Sequence, residues 1–262
     1  MAKVFAIANQ KGGVGKTTTC INLAASLVAT KRRVLLIDLD PQGNATMGSG
    51  IDKHALEHSI YDVLIGECDL VQAMQFSEHG GYQLLPANRD LTAAEVGLLE
   101  MQMKESRLRQ ALAPIRENYD YILIDCPPAL SMLTVNALVA ADAVIIPMQC
   151  EYFALEGLSD LVNTVQRIAQ LFNPGLKIEG LLRTMYDPRI SLTKDVSDQL
   201  REHFSEQLYE TVIPRNVRLA EAPSHGMPAL VYDKQCRGAL AYLALAGELV
   251  RRQRASGRTA TA

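Results

Sequence analysis

The chain has 262 residues, of which 48% are hydrophobic and 21% charged, and its formal net charge is −3. This balance is typical of a globular protein with a large core. Aromatic residues make up only 5%, which argues against an aromatic platform for carbohydrate or single-stranded nucleic acid. The five cysteines are scattered without a C-x-x-C pair, so we predict neither a disulfide framework nor a zinc site. The chain has no run of 18 apolar residues and no leader pattern, so we expect a cytoplasmic protein without a membrane-spanning helix.

Short apolar runs alternate with longer helical patterns along the chain. The runs predict strands over 4–8, 33–39, 82–85, 119–124, 143–148, 176–183 and 207–213, and helices over 17–30, 130–141, 153–172, 192–203 and 237–252. Continuous apolar strands that alternate with helices predict an α/β fold, in which a twisted, mostly parallel sheet carries helices on both faces. We expect one domain over residues 1–252 and a flexible tail over residues 253–262.

A glycine-rich segment, residues 9–18, follows the first strand and opens the first helix, as a phosphate-binding loop does. Glycines let backbone N–H groups approach phosphate oxygens, and the helix N-terminus favours the anion. We expect Lys16 at the β- and γ-phosphates and the Thr17 hydroxyl on Mg²⁺. The loop has Gln10 in place of the usual first glycine and a second lysine, Lys11. Lys16 already supplies a cation to the phosphates of one nucleotide, so Lys11 could contact a phosphate bound by another subunit.

Acidic residues end two of the predicted strands. Asp38 and Asp40 close the second strand, and Asp125 follows the apolar run 121–124. In open α/β sheets the ligand lies at the carboxyl ends of the strands. A carboxylate there can position the attacking water or hold a water bound to Mg²⁺.

Basic residues are concentrated towards the end of the chain. Residues 210–262 carry eight Lys and Arg against four Asp and Glu, although the whole chain is acidic. The arginines without a motif are Arg183, Arg189, Arg215, Arg218, Arg237, Arg251, Arg252 and Arg254. Clustered on one face, they could bind DNA phosphates. The sequence shows no base-reading module, so any DNA binding is expected to be sequence-independent and salt-sensitive.

Together these segments resemble the ParA/MinD family of ATPases over residues 3–250. Residues 11–18 resemble the family's deviant Walker A motif, 38–44 its second acidic motif and 124–128 its Walker B motif. Residues 212–224 are similar to the chromosomal ParA (Soj) branch in particular.

The resemblance implies a P-loop NTPase that binds ATP and Mg²⁺ between the two subunits of an ATP-dependent homodimer. Nucleotide contacts would come from Lys11, Gly12, Gly13, Val14, Gly15, Lys16, Thr17, Thr18, Pro214, Arg215 and Asn216. Lys11 would reach the partner's nucleotide, and Asp40 would activate the hydrolytic water. Thr17 would ligate the metal, and Asp125 would support it through water. Gly13 would lie against the partner's loop.

The resemblance also implies a role in chromosome or plasmid partitioning on the nucleoid. Arg189 and Arg218 would bind non-specific double-stranded DNA, and a ParB-like centromere-binding protein would stimulate a slow ATPase. A MinD-like membrane-surface ATPase is one alternative, but residues 251–262 lack the apolar face that it would need. A ParA-like positioner of a protein cargo is a second alternative, with the same ATPase core. A metabolic P-loop kinase is a more distant alternative, because the second lysine of the loop, Lys11, would have no role in it.

Overall fold

A computed structural model of the protein describes residues 1–152 and 154–259. Seven strands form one sheet: β1 (Lys3–Ile7), β2 (Val34–Asp38), β3 (Gln75–Ser77), β4 (Tyr82–Leu85), β5 (Tyr121–Asp125), β6 (Ala143–Gln149) and β7 (Lys177–Thr184). Their spatial order is β3-β4-β2-β5-β1-β6-β7. Every neighbouring pair is parallel except β3 and β4. The carboxyl ends of the six parallel strands therefore share one edge of the sheet.

Helices cover both faces of this sheet. They are α1 (Lys16–Ala29), α2 (Asn44–Gly48), α3 (Ile60–Ile65), α4 (Leu70–Ala73), α5 (Leu91–Leu99), α6 (Arg107–Leu112), α7 (Met132–Ala140), α8 (Ala154–Leu171), α9 (Ser191–Phe204), α10 (Val217–Glu221), α11 (Ala229–Tyr232) and α12 (Arg237–Thr259). Successive side chains of a strand point to opposite faces. In β1, Val4 and Ala6 accordingly belong to the core layer beneath α7 and α8, whereas Phe5 and Ile7 belong to the layer beneath α1 and α12.

The expected α/β architecture is confirmed, since the sheet is mostly parallel and carries helices on both faces. The strand predicted over 207–213 is wrong. That segment runs beside β7 without forming a strand: an isolated bridge joins Leu208 to Leu181, and the N–H groups of residues 209 and 213 donate to the carbonyls of Leu181 and Arg183 at 3.0 and 2.9 Å. Between these contacts the backbone turns to α12, where Glu248 accepts the N–H groups of residues 210 and 211. The short antiparallel β3 was not predicted, because three residues carry no usable periodicity.

The last helix extends past its predicted end at Arg252 and continues to Thr259. The segment expected as a flexible tail is thus helical from 253 to 259, and residues 260–262 lie outside the described part of the chain. Phe153, at the predicted start of the helix over 153–172, lies outside the described residues as well. Arg252 stabilises this continuation, because its guanidinium donates to Glu248 at 2.8 Å and to the Leu208 carbonyl at 2.7 Å.

Candidate active site

The three predicted motifs meet at the carboxyl edge of the sheet. The strands β1, β5 and β2 are neighbours, and their register pairs Ile7 with Asp125 and Asp125 with Asp38. The loop after β1 therefore lies beside both carboxylates. This edge is where an open α/β sheet binds its ligand.

The phosphate loop is held in place by its backbone conformation and by the neighbouring strands. Gly13 and Gly15 have φ values of 73° and 89°, in the left-handed region that favours glycine. The Thr184 hydroxyl at the end of β7 donates to the Val14 carbonyl at 2.7 Å, and the Gln149 amide at the end of β6 donates to the Gly13 carbonyl at 3.2 Å. These contacts hold the Gly13 and Val14 carbonyls against the ends of β6 and β7, and a loop of this kind presents backbone N–H groups to an anion.

The two lysines of the loop have different surroundings. Lys16 opens α1, is buried, and donates from Nζ to the carbonyl of Lys11 at 3.1 Å. Burial lowers the pKa of Lys16, and the charge of the Asp125 carboxylate opposes that shift. The Lys11 side chain is half exposed and forms an ion pair with Glu151, with 2.5 Å between Nζ and Oε2. Only Lys16 thus lies inside its own loop.

Asp125 has the donor set expected of a magnesium site. Its carboxylate is fully buried, and within the described residues Oδ2 has no hydrogen-bond partner, while the Cys20 thiol lies 3.4 Å from Oδ1. Burial and the nearby charge of Asp38 raise the pKa of Asp125 to about 8, and a hydrogen bond from Thr17 opposes this shift. A divalent cation would neutralise this buried group and satisfy the unpartnered oxygen. Thr17 and Asp125 therefore fit Mg²⁺, directly or through water.

Asp38 and Asp40 differ in what their carboxylates contact. Asp38 is buried and accepts from the Thr46 backbone at 2.8 Å, the Thr46 hydroxyl at 2.7 Å and the Asp40 backbone at 3.2 Å. Burial raises the pKa of Asp38 to about 6, and the bonds from Thr46 oppose the shift. Asp40 is only half-buried, and its charge acts on both Lys16 and Asp125. Asp38 thus holds the segment in place, and Asp40 faces the loop.

A cavity of about 280 Å³ adjoins the phosphate loop. It is lined by Gly15, Thr18, Thr184, Met185, Ile213, Pro214, Arg215, Asn216, Leu219, Ala220 and Tyr242. The predicted segment 214–216 thus lies across the cavity from the start of α1. Its apolar walls and few polar groups suit a planar base next to bound phosphates.

The arginines singled out in the sequence lie in unlike environments. Arg189 is exposed and pairs with Asp187 at 2.6 Å, and this contact lowers the pKa of Asp187 to about 2. Arg218 is exposed and pairs with Glu221 at 2.8 Å. Arg183, expected on the basic surface, is instead buried and donates to the Ser197 hydroxyl and the Tyr209 carbonyl, each at 2.8 Å. It is a structural residue because its planar donors tie β7 to α9 and to the segment after it.

Sequence reasoning missed several residues that contact the loop or its carboxylates. They are Thr46, Gln149, Glu151, Thr184 and Tyr242. Gln149 and Thr184 end β6 and β7, and Glu151 follows β6 closely. The strand-end rule that selected Asp38 and Asp125 would have selected these three. Thr46 and Tyr242 carry no such signal, because each reaches the site from a helix.

Comparison with known proteins defines the class. Residues 2–178 match a family model described as an AAA domain. The crystal structure of cobyrinic acid a,c-diamide synthase from Mycobacterium smegmatis with bound ADP and magnesium is 38% identical, covers 98% of this chain and 97% of its own, and has a TM-score of 0.85. The fold and the loop are thus those of a P-loop ATPase.

The curated relatives define the family. The chromosome partitioning protein ParA of Caulobacter vibrioides (strain NA1000 / CB15N) is 52% identical over 254 residues, 96% of this chain and 95% of the relative. The sporulation initiation inhibitor protein Soj of Bacillus subtilis (strain 168) is 51% identical over 249 residues, 95% and 98% of the two chains. The chain belongs to the ParA/Soj family of partitioning ATPases. The expectation of an ATPase that uses ATP and Mg²⁺ is confirmed at the level of this family.

Proposed function

We propose that the chain acts in chromosome or plasmid partitioning as a switch controlled by ATP, in the cytoplasm and on the nucleoid. ATP closes a homodimer, and closure brings two weak basic faces onto one DNA duplex. Two linked contacts bind more tightly than either contact alone, because the second one forms at a high effective concentration. Hydrolysis, stimulated by a ParB-like partner, opens the dimer and releases the DNA.

The separation of the two lysines carries this proposal. Lys16 lies inside its own loop, 3.1 Å from the Lys11 carbonyl, where it would contact phosphates in cis. The Nζ of Lys11 instead lies at the rim on Glu151, with about half of its side chain exposed, 47%. A single nucleotide does not need this second cation. A nucleotide bound by a second copy of the chain would give Lys11 a ligand.

Of the two glycines that follow Lys11, only Gly12 supports a dimer. Gly13 has a φ of 73°, so its own backbone favours glycine. Gly12 has an ordinary φ, and a Cβ added there would meet no atom within 4 Å. Nothing in the described chain requires glycine at position 12. A partner loop packed against this open side would require it.

Within one subunit the proposed roles follow from position. Lys16 and the loop N–H groups bind the phosphates, and residues 214–216 line the base. Thr17 and Asp125 hold Mg²⁺, which neutralises charge on the β- and γ-phosphates. Asp40, half-buried and facing the loop, orients the attacking water. Turnover of the protein alone should be slow, because a stabilising arginine supplied by a partner accounts for about 10³–10⁵ in rate in related chemistry.

The proposed DNA face is consistent with weak, non-specific binding. Arg189 and Arg218 are exposed, and each already pairs with a carboxylate, Asp187 or Glu221. DNA phosphates must compete with these partners, so each contact contributes little in isolation. Two such faces in a dimer would be needed for useful affinity.

The alternative of a MinD-like membrane-surface ATPase has less support. Within the described chain, no helix has the length and apolar character to cross a membrane. Leu240 is the exposed exception among the described large apolar residues of α12, whereas Tyr242, Leu245 and Leu249 are buried in the core. They are therefore not available to insert into a lipid surface.

Sedimentation velocity of the Asp40→Ala protein tests the dimer. Removing the carboxylate that orients water should leave nucleotide binding intact and slow hydrolysis, so we expect a dimer with ATP and a monomer with ADP. Adding Gly12→Val should leave ATP bound and the protein monomeric. Adding Gly97→Val is the matched control, since a Cβ at Gly97 also meets no atom within 4 Å. A Gly12→Val protein that still dimerises would refute the interface.

A further inference from the structure

A second cavity, of about 290 Å³, lies at the end of the sheet opposite the phosphate loop. Lys3 begins β1, Tyr121 begins β5, and residues 32 and 33 precede β2. The end of α12 contributes Gln253 and Arg254 to the same lining. Because these strands are parallel, their amino ends lie at the edge away from the carboxyl ends. The cavity is therefore separate from the candidate active site.

The side chains around this cavity have an excess of positive charge. The cations in the lining are Lys3, Arg32, Arg33 and Arg254, and the carboxylates are Glu117 and Asp120. Asp120 is already satisfied by Arg33, whose backbone donates to one oxygen at 2.8 Å and whose guanidinium donates to the other at 3.2 Å. These bonds lower the pKa of Asp120. Lys3, Arg32 and Arg254 are then opposed in the lining by Glu117 alone.

Two buried donors in this lining lack acceptors. Within the described residues, neither Nε of Arg32 nor Nε2 of Gln253 forms a hydrogen bond, and both atoms are buried. Glu179 lies beside Gln253: burial raises the pKa of Glu179, and the neighbouring Gln253 amide opposes this shift. Buried donors in native proteins nearly always have a partner, so such atoms indicate a ligand or an ordered water.

A third donor is the hydroxyl of Tyr121. The residue is largely buried, and its ring stacks on Phe5 with 6.2 Å between ring centroids. Burial raises the pKa of Tyr121, although the charges of Arg32 and Arg254 oppose the shift. The phenol therefore keeps its proton at neutral pH and can donate to an anion beside the two guanidinium groups.

We propose that this cavity binds a small phosphorylated anion through Arg32, Lys3 and Arg254, with Tyr121 and Gln253 as neutral donors. Planar guanidinium groups match the oxygens of a phosphate, and the neutral donors complete its coordination. The volume is at the lower end of ligand pockets, the size for an inorganic phosphoanion or a mononucleotide. A duplex is too wide to enter and would reach only the rim. The bound anion would tie the end of α12 to the amino ends of β1 and β5.

Calorimetric titration with pyrophosphate tests this site. The Lys16→Ala protein is used, so that the phosphate loop does not compete for the probe. We expect binding that falls by about tenfold or more with Arg32→Gln, because a charge-assisted donor is removed. Tyr121→Phe should weaken binding by about threefold, as expected for one lost neutral donor. Arg167→Gln, at an exposed arginine of α8, is the matched control and should change nothing.

Three results would overturn the proposal. One is no pyrophosphate binding, and another is binding that Arg32→Gln and Tyr121→Phe leave unchanged. The third is an equal loss with Arg167→Gln, which would indicate general charge attraction.

A parallel titration with duplex DNA separates the sources of phosphate. If Arg32→Gln weakens only duplex binding, the cavity is a polyanion surface and the small-anion site is wrong. The urea midpoint of each variant checks folding, and Tyr121→Phe keeps the ring that packs on Phe5.

Discussion

The carboxylates at the sheet edge show how one residue type takes different roles within a few ångströms. Asp38 has three hydrogen bonds and is held inside the protein, so it supports the loop that follows β2. Asp125 keeps one buried oxygen without a partner within the described chain, so it is suited to a cation. Asp40 is half-buried, and its charge acts on Lys16 of the phosphate loop.

Replacement of Lys16 tests the nucleotide site directly. Lys16→Ala removes the buried cation of the loop and should abolish measurable ATP binding, a loss of at least about 100-fold for a charged group bonded to phosphate. Calorimetry with ATP and Mg²⁺ measures it. Lys194→Ala, at an exposed lysine of α9, is the control and should bind normally. Normal affinity in Lys16→Ala would contradict the site.

The raised pKa of Asp125 predicts a pH dependence in the absence of metal. The folded protein holds this proton up to about pH 8, against an ordinary value of 3.8, so it binds the proton more tightly than the unfolded chain does. The resulting stabilisation is complete below about pH 4 and is lost as the pH rises towards 8. We expect the free energy of unfolding to fall over this range by at least about 2 kcal/mol on account of Asp125.

Urea unfolding in a chelator measures this effect. Asp125→Asn cannot lose a proton, so its stability should change less between pH 5 and pH 8 than that of the parent. Asp195→Asn, at an exposed position of α9, should behave like the parent. Identical pH slopes for Asp125→Asn and the parent would show that this carboxyl does not titrate as described.

At the scale of elements, the last helix holds in place one side of the cavity that adjoins the phosphate loop. Glu248 of α12 accepts the N–H groups of Glu210 and Thr211, each at 2.9 Å, just before the segment 214–216. Arg252, one turn later, lies over the ring of Tyr209, with 4.4 Å to the ring centroid. The last helix thus positions residues that line the cavity beside the phosphate loop.

Truncation of Glu248 should therefore affect both stability and nucleotide binding. Glu248→Ala leaves two backbone donors without their acceptor, so we expect a loss of about 2–4 kcal/mol in the free energy of unfolding. The affinity for ADP should also fall severalfold, because the segment 214–216 loses its anchor. Urea unfolding and calorimetry measure the two effects. Glu202→Ala on α9 is the exposed control, and equal behaviour of the two variants would exclude the anchoring role.

The central strands and the motifs at their ends were predictable, because each is a continuous apolar run followed by glycine or aspartate. The segment 207–213 has a similar apolar pattern, yet two N–H groups in its middle bond to the Glu248 side chain of α12, which no local pattern reveals. That Lys11 and Lys16 belong to one loop could be predicted from the sequence. It could not show that only Lys16 lies within it, because the contact of Lys11 with Glu151 spans 140 positions.

At the scale of the whole molecule, the proposed function requires a second subunit. The chain has a net charge of −3, so DNA binding must come from local basic residues and not from overall attraction. Arg189 and Arg218 are ion-paired within the subunit, so we expect the monomer to bind DNA weakly. Dimer closure is what would combine two such faces.

The measurement that tests this most directly is binding of the Asp40→Ala protein to an arbitrary duplex of about 60 base pairs, with ATP or with ADP, at two salt concentrations. We predict binding with ATP alone, weakened by salt as phosphate contacts require, and weakened further in Arg189→Ala and in Arg218→Ala. Binding that is equal with ATP and ADP, or absent with both, would contradict the proposed switch while leaving the ATPase site intact.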